Sequence, residues 1–176
     1  MSLKIFSVLA LSSLLATSAF AQSNFVTTLR GLNETPIVIS RGTGNVRLSI
    51  SDDAKSIEYE LTYSGIEGGK VLFAHVHVGR PTIAGGVAVF FCGGGNSDKT
   101  KAACPDSGTL TGTWTAADIV GPASQGVDPT DTNENAWERF VKAIRAGLSY
   151  ANVHSVRSPG GEIRGQLMPG RDRDRE

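Results

Sequence analysis

Hydrophobic and polar residues alternate along much of the chain with a period of two, the spacing of a strand that buries one face. The alternation runs through residues 46–50 and again through 57–63, and a polar turn at 52–55 joins the two stretches, which predicts a β-hairpin. Further short apolar runs between Gly-, Pro-, Asn- and Ser-rich clusters predict strands at residues 25–29, 36–40, 71–78, 86–92, 108–114, 150–156 and 162–167. Many short strands at this spacing predict an all-β domain, either a sandwich or a barrel.

One segment follows a different period. Apolar residues at 137, 140, 141, 144 and 148 share one helical face and predict an amphipathic helix near residues 135–146. Asn135 is predicted to cap the start of this helix, and Gly147 to end it. Residues 115–118 read Thr-Ala-Ala-Asp, a capping sequence that predicts one further helical turn.

The composition is that of a folded domain without overall charge. The 176 residues include 17 Lys and Arg against 17 Asp and Glu, so the formal net charge is zero. Nucleic-acid-binding proteins typically carry an excess of Lys and Arg, because contacts to phosphates dominate their affinity. We therefore expect no nucleic-acid partner.

The amino terminus has the three-part form of a secretory signal peptide. Lys4 precedes an apolar run at residues 5–15, and an Ala-Phe-Ala cleavage site ends at Ala21. A transmembrane anchor needs about 20 apolar residues, and this run is shorter. The sequence thus predicts a secreted or periplasmic protein that does not insert into a membrane after cleavage and acts on an unidentified extracellular or periplasmic partner. Its predicted segments are a signal peptide at 1–21, a β-domain at 22–168 and a charged, disordered tail at 169–176.

Two cysteines, Cys92 and Cys104, follow the predicted cleavage site and flank a Gly-rich, polar loop. An even number of cysteines in an exported protein favours a disulfide bond. The alternatives are a thiolate pair that binds a metal and a redox dithiol, although the spacing is not that of a C-x-x-C motif.

The three histidines are the main candidates for chemistry. His75 and His77 are two residues apart in a predicted strand, so their side chains point to the same face. His154 lies in another predicted strand and can join them only if the two strands come together. Three neutral imidazoles suit a mononuclear copper or zinc site, which requires their nitrogens to converge within about 4 Å. The alternative is that the histidines form structural hydrogen bonds within the sheet.

A second candidate segment surrounds His154 in the sequence. Asn152 shares its face, and Glu162 and Arg164 share a face of the next predicted strand. Glu162 could supply a carboxylate to a metal or could orient a ligand histidine. The alternative is an exposed ion pair between Glu162 and Arg164, which contributes little to stability. The turn before this strand is formed by Pro159, Gly160 and Gly161.

Several of these motifs together resemble the CHRD domain, which was first named in chordin and is common in exported bacterial proteins. The resemblance covers about residues 24–168 and implies a single Greek-key-like β-sandwich, similar to the immunoglobulin or Cu/Zn superoxide dismutase fold. It implies no established biochemistry. The segments at 92–104 and 121–132 depart from the family pattern. The matching motifs are Leu-Asn-Glu-Thr-Pro at 32–36, Gly-Thr-Gly at 42–44, Ala-His-Val-His-Val-Gly at 74–79, Gly-Thr-Leu at 108–110, Thr-Ala-Ala-Asp at 115–118, Tyr-Ala-Asn-Val-His at 150–154 and Ser-Pro-Gly-Gly-Glu-Ile-Arg-Gly-Gln-Leu at 158–167.

Three functions are compatible with these observations. The first is a binding or structural module with an undetermined ligand, and such a module would not be an enzyme. The second is a protein that binds copper or zinc through His75, His77 and His154, and the third is a redox enzyme with a mononuclear copper site. A dinuclear site like that of Cu/Zn superoxide dismutase needs more histidines than the three in this chain.

Overall fold

The computed structural model describes residues 23–93 and 101–170, and this part of the chain consists mainly of nine β-strands and one α-helix. The predicted signal peptide at 1–21 and residues 171–176 of the predicted tail lie outside the described residues. The strands are β1 (Asn24–Arg30), β2 (Thr43–Ile50), β3 (Ile57–Ser64), β4 (Val71–Val78), β5 (Gly86–Cys92), β6 (Gly108–Trp114), β7 (Ser149–Ser155), β8 (Ile163–Gln166) and β9 (Met168–Pro169), and the helix is α1 (Asn133–Arg145).

The strands form a nearly closed antiparallel sheet in the order β5-β4-β7-β8-β1-β2-β3-β6, with β9 paired to β1. The two end strands of this order, β5 and β6, lie close to each other. The Trp114 indole Nε1–H of β6 donates to the Phe90 carbonyl oxygen of β5 at 2.9 Å. One apolar core, to which α1 contributes Phe140 and Ile144, fills the interior. The all-β, sandwich-like fold predicted from the alternation is confirmed.

Burial differs along the sheet in a way that determines where a site can form. In β2 and β3 buried residues alternate with exposed or half-buried ones, as a strand with one solvent face requires. In β7 every residue is buried, and in β4 the run from Ala74 to His77 is buried. These two strands therefore place polar side chains in the interior, opposite their core-facing residues.

The disulfide bond between Cys92 and Cys104 is confirmed, and it links the end of β5 to the segment before β6. The hairpin of β2 and β3 is also confirmed, with Ile50 paired to Ile57. No helix in the described ranges combines the length and the apolar character that a membrane span requires.

Two local predictions are wrong. Residues 36–40 do not form a strand, because the Val38 backbone N–H donates to the Gly31 carbonyl oxygen at 2.9 Å and folds this segment into a loop. The amphipathic helix predicted near residues 135–146 is confirmed as Asn133–Arg145, but its predicted cap is wrong, because the helix begins after Thr132 and Asn135 lies inside it. Gly147 ends the helix as predicted, with a φ of 68°. At the other end of the domain, Pro169 pairs with Phe25, so the predicted boundary at residue 168 falls within β9.

Candidate metal centre

The three histidines come together on the buried faces of β4 and β7. Because β7 pairs with β4 in the register that aligns Phe73 with His154 and His75 with Asn152, His154 lies beside the His75–His77 pair. The three side chains are almost fully buried, and one nitrogen from each lies within 4.8 Å of the others. The predicted cluster of three histidines is therefore present, although the 4.8 Å within which its nitrogens lie is wider than the about 4 Å predicted from the sequence for a metal site.

Backbone carbonyls fix the orientation of two of the rings. Nδ1–H of His77 donates to the Gly85 carbonyl oxygen at 2.8 Å, and Nδ1–H of His154 donates to the Pro159 carbonyl oxygen at 2.9 Å. In a neutral imidazole the other nitrogen, Nε2, then carries the lone pair. Hydrogen bonds of this kind, from a ring N–H to a carbonyl oxygen, are the usual means by which proteins set the tautomer and orientation of a ligand histidine.

The remaining ring nitrogens are the unusual feature of the cluster. Nδ1 of His75 and Nε2 of His154 are buried and have no hydrogen-bond partner among the described residues. Nε2 of His77 lies 3.1 Å from the side-chain Oδ1 of Asn152, an amide whose oxygen and nitrogen positions are interchangeable. Since buried polar atoms are nearly always paired, these two nitrogens mark the part of the cluster whose hydrogen bonding the described side chains leave incomplete.

Aromatic rings surround this group. The ring centroid of Phe73 lies 5.3 Å from that of His75 and 4.6 Å from that of His154. Phe90 packs edge-on against His75 with a centroid distance of 5.1 Å, and Tyr150 stacks on His77 at 4.5 Å. The histidine cluster thus lies in an apolar enclosure formed by these aromatic rings.

Burial in this enclosure keeps the imidazoles neutral. Desolvation lowers the pKa of His77 and of His154 to about 4, and hydrogen bonds to carbonyl oxygens offset only part of this effect. Desolvation, and after it the neighbouring histidines, hold the pKa of His75 well below its ordinary value. At neutral pH all three rings are therefore in the form that binds a metal.

A buried polar network lies behind His77. Burial raises the pKa of the Glu34 carboxyl to about 7, against the opposing effects of Arg164 and of a hydrogen bond with Asn152. The Arg164 guanidinium lies 3.4 Å from the centre of the Tyr150 ring and donates to the carbonyl oxygens of Arg80 and Ile83. Asn152 therefore stands between the carboxyl of Glu34 and the ring of His77.

The Glu162 carboxylate forms its hydrogen bonds with serine hydroxyls and backbone N–H groups and not with a histidine ring. The carboxylate accepts four hydrogen bonds, from the Ser40 and Ser155 hydroxyls and from the backbone N–H groups of Glu67 and Gly68, at 2.6 to 2.9 Å. The Ser155 hydroxyl that donates to this carboxylate also accepts from the backbone N–H of Ser158, so Glu162 is linked to the turn whose Pro159 carbonyl holds His154.

The alternative of an exposed ion pair between Glu162 and Arg164 is wrong, because both side chains are buried. Gly161 in the same turn has a φ of 125°, and a Cβ at this position would overlap the Glu34 carboxylate. The turn formed by Pro159, Gly160 and Gly161 thus lies between the histidine cluster and the buried carboxyl.

The residues that sequence reasoning missed are Glu34, Phe73 and Tyr150. Glu34 and Tyr150 lie within motifs shared with the CHRD domain, so their presence in those motifs was the available signal. Their burial depends on how the loop at 31–40 and strand β7 fold against β8, which no local pattern reveals.

Among the comparisons with known proteins, only the comparison with protein families gives a match. The model of the CHRD domain matches residues 25–167, from the second residue of β1 to the residue after β8. No curated protein and no solved structure gives a significant match. The match includes all three histidines, Glu34 and Arg164, and it covers most of the 176 residues. The chain therefore belongs to the CHRD domain family.

Proposed function

We propose that this protein is an exported CHRD-domain module that binds one copper or zinc ion through His75, His77 and His154. The observation that carries the proposal is the convergence of three neutral imidazoles, two of which have a buried ring nitrogen without a hydrogen-bond partner among the described residues. Such a group is costly to leave unpaired, and a metal ion between the rings would satisfy it.

The donor set fits a single transition-metal ion. Bonds of about 2.0–2.1 Å from a metal to imidazole nitrogens place those nitrogens about 3.3–3.6 Å apart. The rings would close by roughly an ångström from their present spacing of up to 4.8 Å. His77 would exchange its contact with the Asn152 amide for the metal, while Gly85 and Pro159 continue to hold Nδ1 of His77 and of His154. Since the chain has three histidines, the site is mononuclear.

Export is supported by two features at separate places in the chain. The first 21 residues have the form of a signal peptide, and Cys92 and Cys104 are joined by a disulfide bond. Disulfide bonds persist in oxidising compartments, and cytosolic thiols are kept reduced. We therefore place the metal-binding domain outside the cytosol.

Metal analysis of the purified protein tests the proposal. We expect one equivalent of copper or zinc for each chain, and loss of this stoichiometric binding in His75→Ala, His77→Ala and His154→Ala. The matched control is Glu60→Gln, which removes an exposed charge from β3 and should leave the stoichiometry unchanged.

Each alternative has its own outcome in this experiment. A folded wild-type protein that takes up no stoichiometric copper or zinc would contradict the proposal and favour the structural role for the histidines. Bound copper that supports no redox turnover would exclude the redox enzyme and leave the binding module.

A further inference from the structure

The cluster also indicates which metal ion fits it. We propose that this centre takes cuprous copper, Cu(I), in preference to Zn(II) and Cu(II). This inference rests on the proposed metal site, and it is argued from the charge of the ligands and from the enclosure around them.

The first argument is the charge of the site. Among the described residues the cluster contains only histidines and no Asp, Glu or Cys, so the three ligands are neutral and cancel none of the charge of the metal. The cost of moving an ion from water into an apolar interior rises steeply with its charge. A divalent ion would keep its whole double charge among Phe73, Phe90 and Tyr150, whereas a cuprous ion would bring one positive charge.

The second argument is the charge that surrounds the site. The buried guanidinium of Arg164 lies on the Tyr150 ring, which in turn stacks on His77. The positive charge of Arg164 repels a metal ion at His77, and this repulsion is twice as large for a divalent ion. The carboxyl in this network, that of Glu34, is separated from His77 by the Asn152 side chain.

The third argument is the number of ligands. Zinc sites are almost always four-coordinate, and Cu(II) favours tetragonal arrangements of nitrogen and oxygen ligands. Here the cluster supplies three nitrogens, and apart from the Asn152 amide beside His77 the side chains packed around them are rings. His75 and His154 are at most 5 % exposed, which limits the access of water as a fourth ligand. Three nitrogens in an apolar enclosure suit Cu(I), which is stable with three ligands.

Anaerobic competition titrations test the preference. Cu(I) is titrated against the chromophoric chelator bicinchoninate, and Zn(II) against a chromophoric zinc chelator, with the disulfide-bonded protein. We expect one Cu(I) for each chain, bound more tightly than Zn(II) by roughly a hundredfold or more. Protein loaded with Cu(II) and ascorbate should have no electron paramagnetic resonance signal and should regain one only slowly in air.

A substitution tests the physical cause. Phe73 is half-buried and lies against both His75 and His154, so Phe73→Glu places a carboxylate beside the metal. This anion should lower the ratio of Cu(I) to Zn(II) affinity by roughly tenfold or more. The matched control is Phe73→Gln, because glutamine has the shape of glutamate without its charge, and this variant should keep most of the preference for Cu(I) over Zn(II). Circular dichroism checks that both variants fold.

The outcomes distinguish this inference from the proposed function. Zn(II) or Cu(II) bound at one equivalent, through the three histidines and more tightly than Cu(I), would overturn the inference and keep the metal site. An equal ratio in Phe73→Glu and Phe73→Gln would overturn the argument from charge. Absence of any stoichiometric metal would overturn the proposed function itself.

Discussion

At the scale of single residues, the buried titratable groups link the site to the stability of the fold. His77 and His154 have a pKa of about 4 in the folded protein, against an ordinary value of 6.5. As the pH falls below 6.5 the unfolded chain binds protons that the folded chain does not, so folding loses stability until the pH reaches about 4. Each ring accounts for about 3 kcal/mol over this range, since one pKa unit is about 1.4 kcal/mol.

Glu34 changes the stability of the fold with pH in the direction opposite to that of the histidines. Its pKa is raised from 4.5 to about 7, so the folded protein holds a proton that the unfolded chain releases between these values. The stability that it contributes is complete below pH 4.5 and is lost as the pH rises through 7. In mildly acidic solution Glu34 therefore offsets part of the loss caused by the histidines.

We predict that the free energy of unfolding of the metal-free protein falls as the pH is lowered from 6.5 to 4, as measured by urea denaturation at a series of pH values. Glu34→Gln should steepen this fall, because it removes the group that opposes the histidines. Equal slopes in the wild type and in Glu34→Gln would contradict the assignment of a raised pKa to Glu34. A flat profile would contradict the assignment of neutral, buried histidines.

At the scale of elements, the connection from β7 to β8 depends on one carboxylate. Glu162 accepts two hydroxyl and two backbone hydrogen bonds, and these donors come from the segments around Ser40, Gly68 and Ser155. Although burial raises the pKa of Glu162, its hydrogen bonds lower it more, and the net shift is downward. The ionised carboxylate thus ties three segments to the turn that orients His154.

Glu162→Gln should lower the free energy of unfolding by about 2–4 kcal/mol, because the amide nitrogen cannot accept and leaves buried donors unpaired. The matched control is Glu67→Gln, which removes an exposed ion pair with Arg41 and should cost under about 1 kcal/mol. Urea denaturation at neutral pH measures both variants. Similar losses in the two variants would show that the buried carboxylate has no special role in this turn.

Periodicity predicted most of the elements, and the exceptions have physical causes. Residues 71–78, 86–92 and 108–114 form strands with the predicted bounds, because continuous or alternating apolar runs end at clear turn residues. The segment at 36–40 has the same local pattern, but a backbone hydrogen bond to Gly31 folds it into a loop. Thr132 and Asn135 are both good caps, so composition alone could not choose where the helix begins.

The site could be predicted only in part for a similar reason. A spacing of two residues is sufficient to place His75 and His77 on one face of a strand. The arrival of His154 depends on the pairing of β7 with β4, two strands that are more than 70 residues apart in the sequence. The separation of Glu162 from the histidines and the burial of Arg164 depend on loop conformations that no residue pattern specifies.

At the scale of the whole molecule, the sheet closes at the seam between β5 and β6. The Trp114 indole donates to the Phe90 carbonyl oxygen, and its ring packs on Tyr59 and Phe91 with centroid distances of 4.4 and 4.7 Å. The Cys92–Cys104 disulfide joins the end of β5 to the segment before β6 on the same seam. These two features hold the end strand that packs Phe90 against the histidine cluster.

Because both features span one seam, we predict that their contributions to stability are coupled. Trp114→Phe should cost about 2–4 kcal/mol through the lost hydrogen bond and packing, and the Cys92→Ala/Cys104→Ala pair about 3 kcal/mol. When Trp114→Phe is combined with the cysteine pair, the loss in free energy of unfolding measured by urea denaturation should differ from the sum of the two separate losses by more than about 0.5 kcal/mol. Trp137→Phe on α1, which loses its hydrogen bond to the Ala54 carbonyl oxygen, should add independently to the disulfide change. Additivity at the seam would mean that the strand contacts hold the sheet closed without either feature.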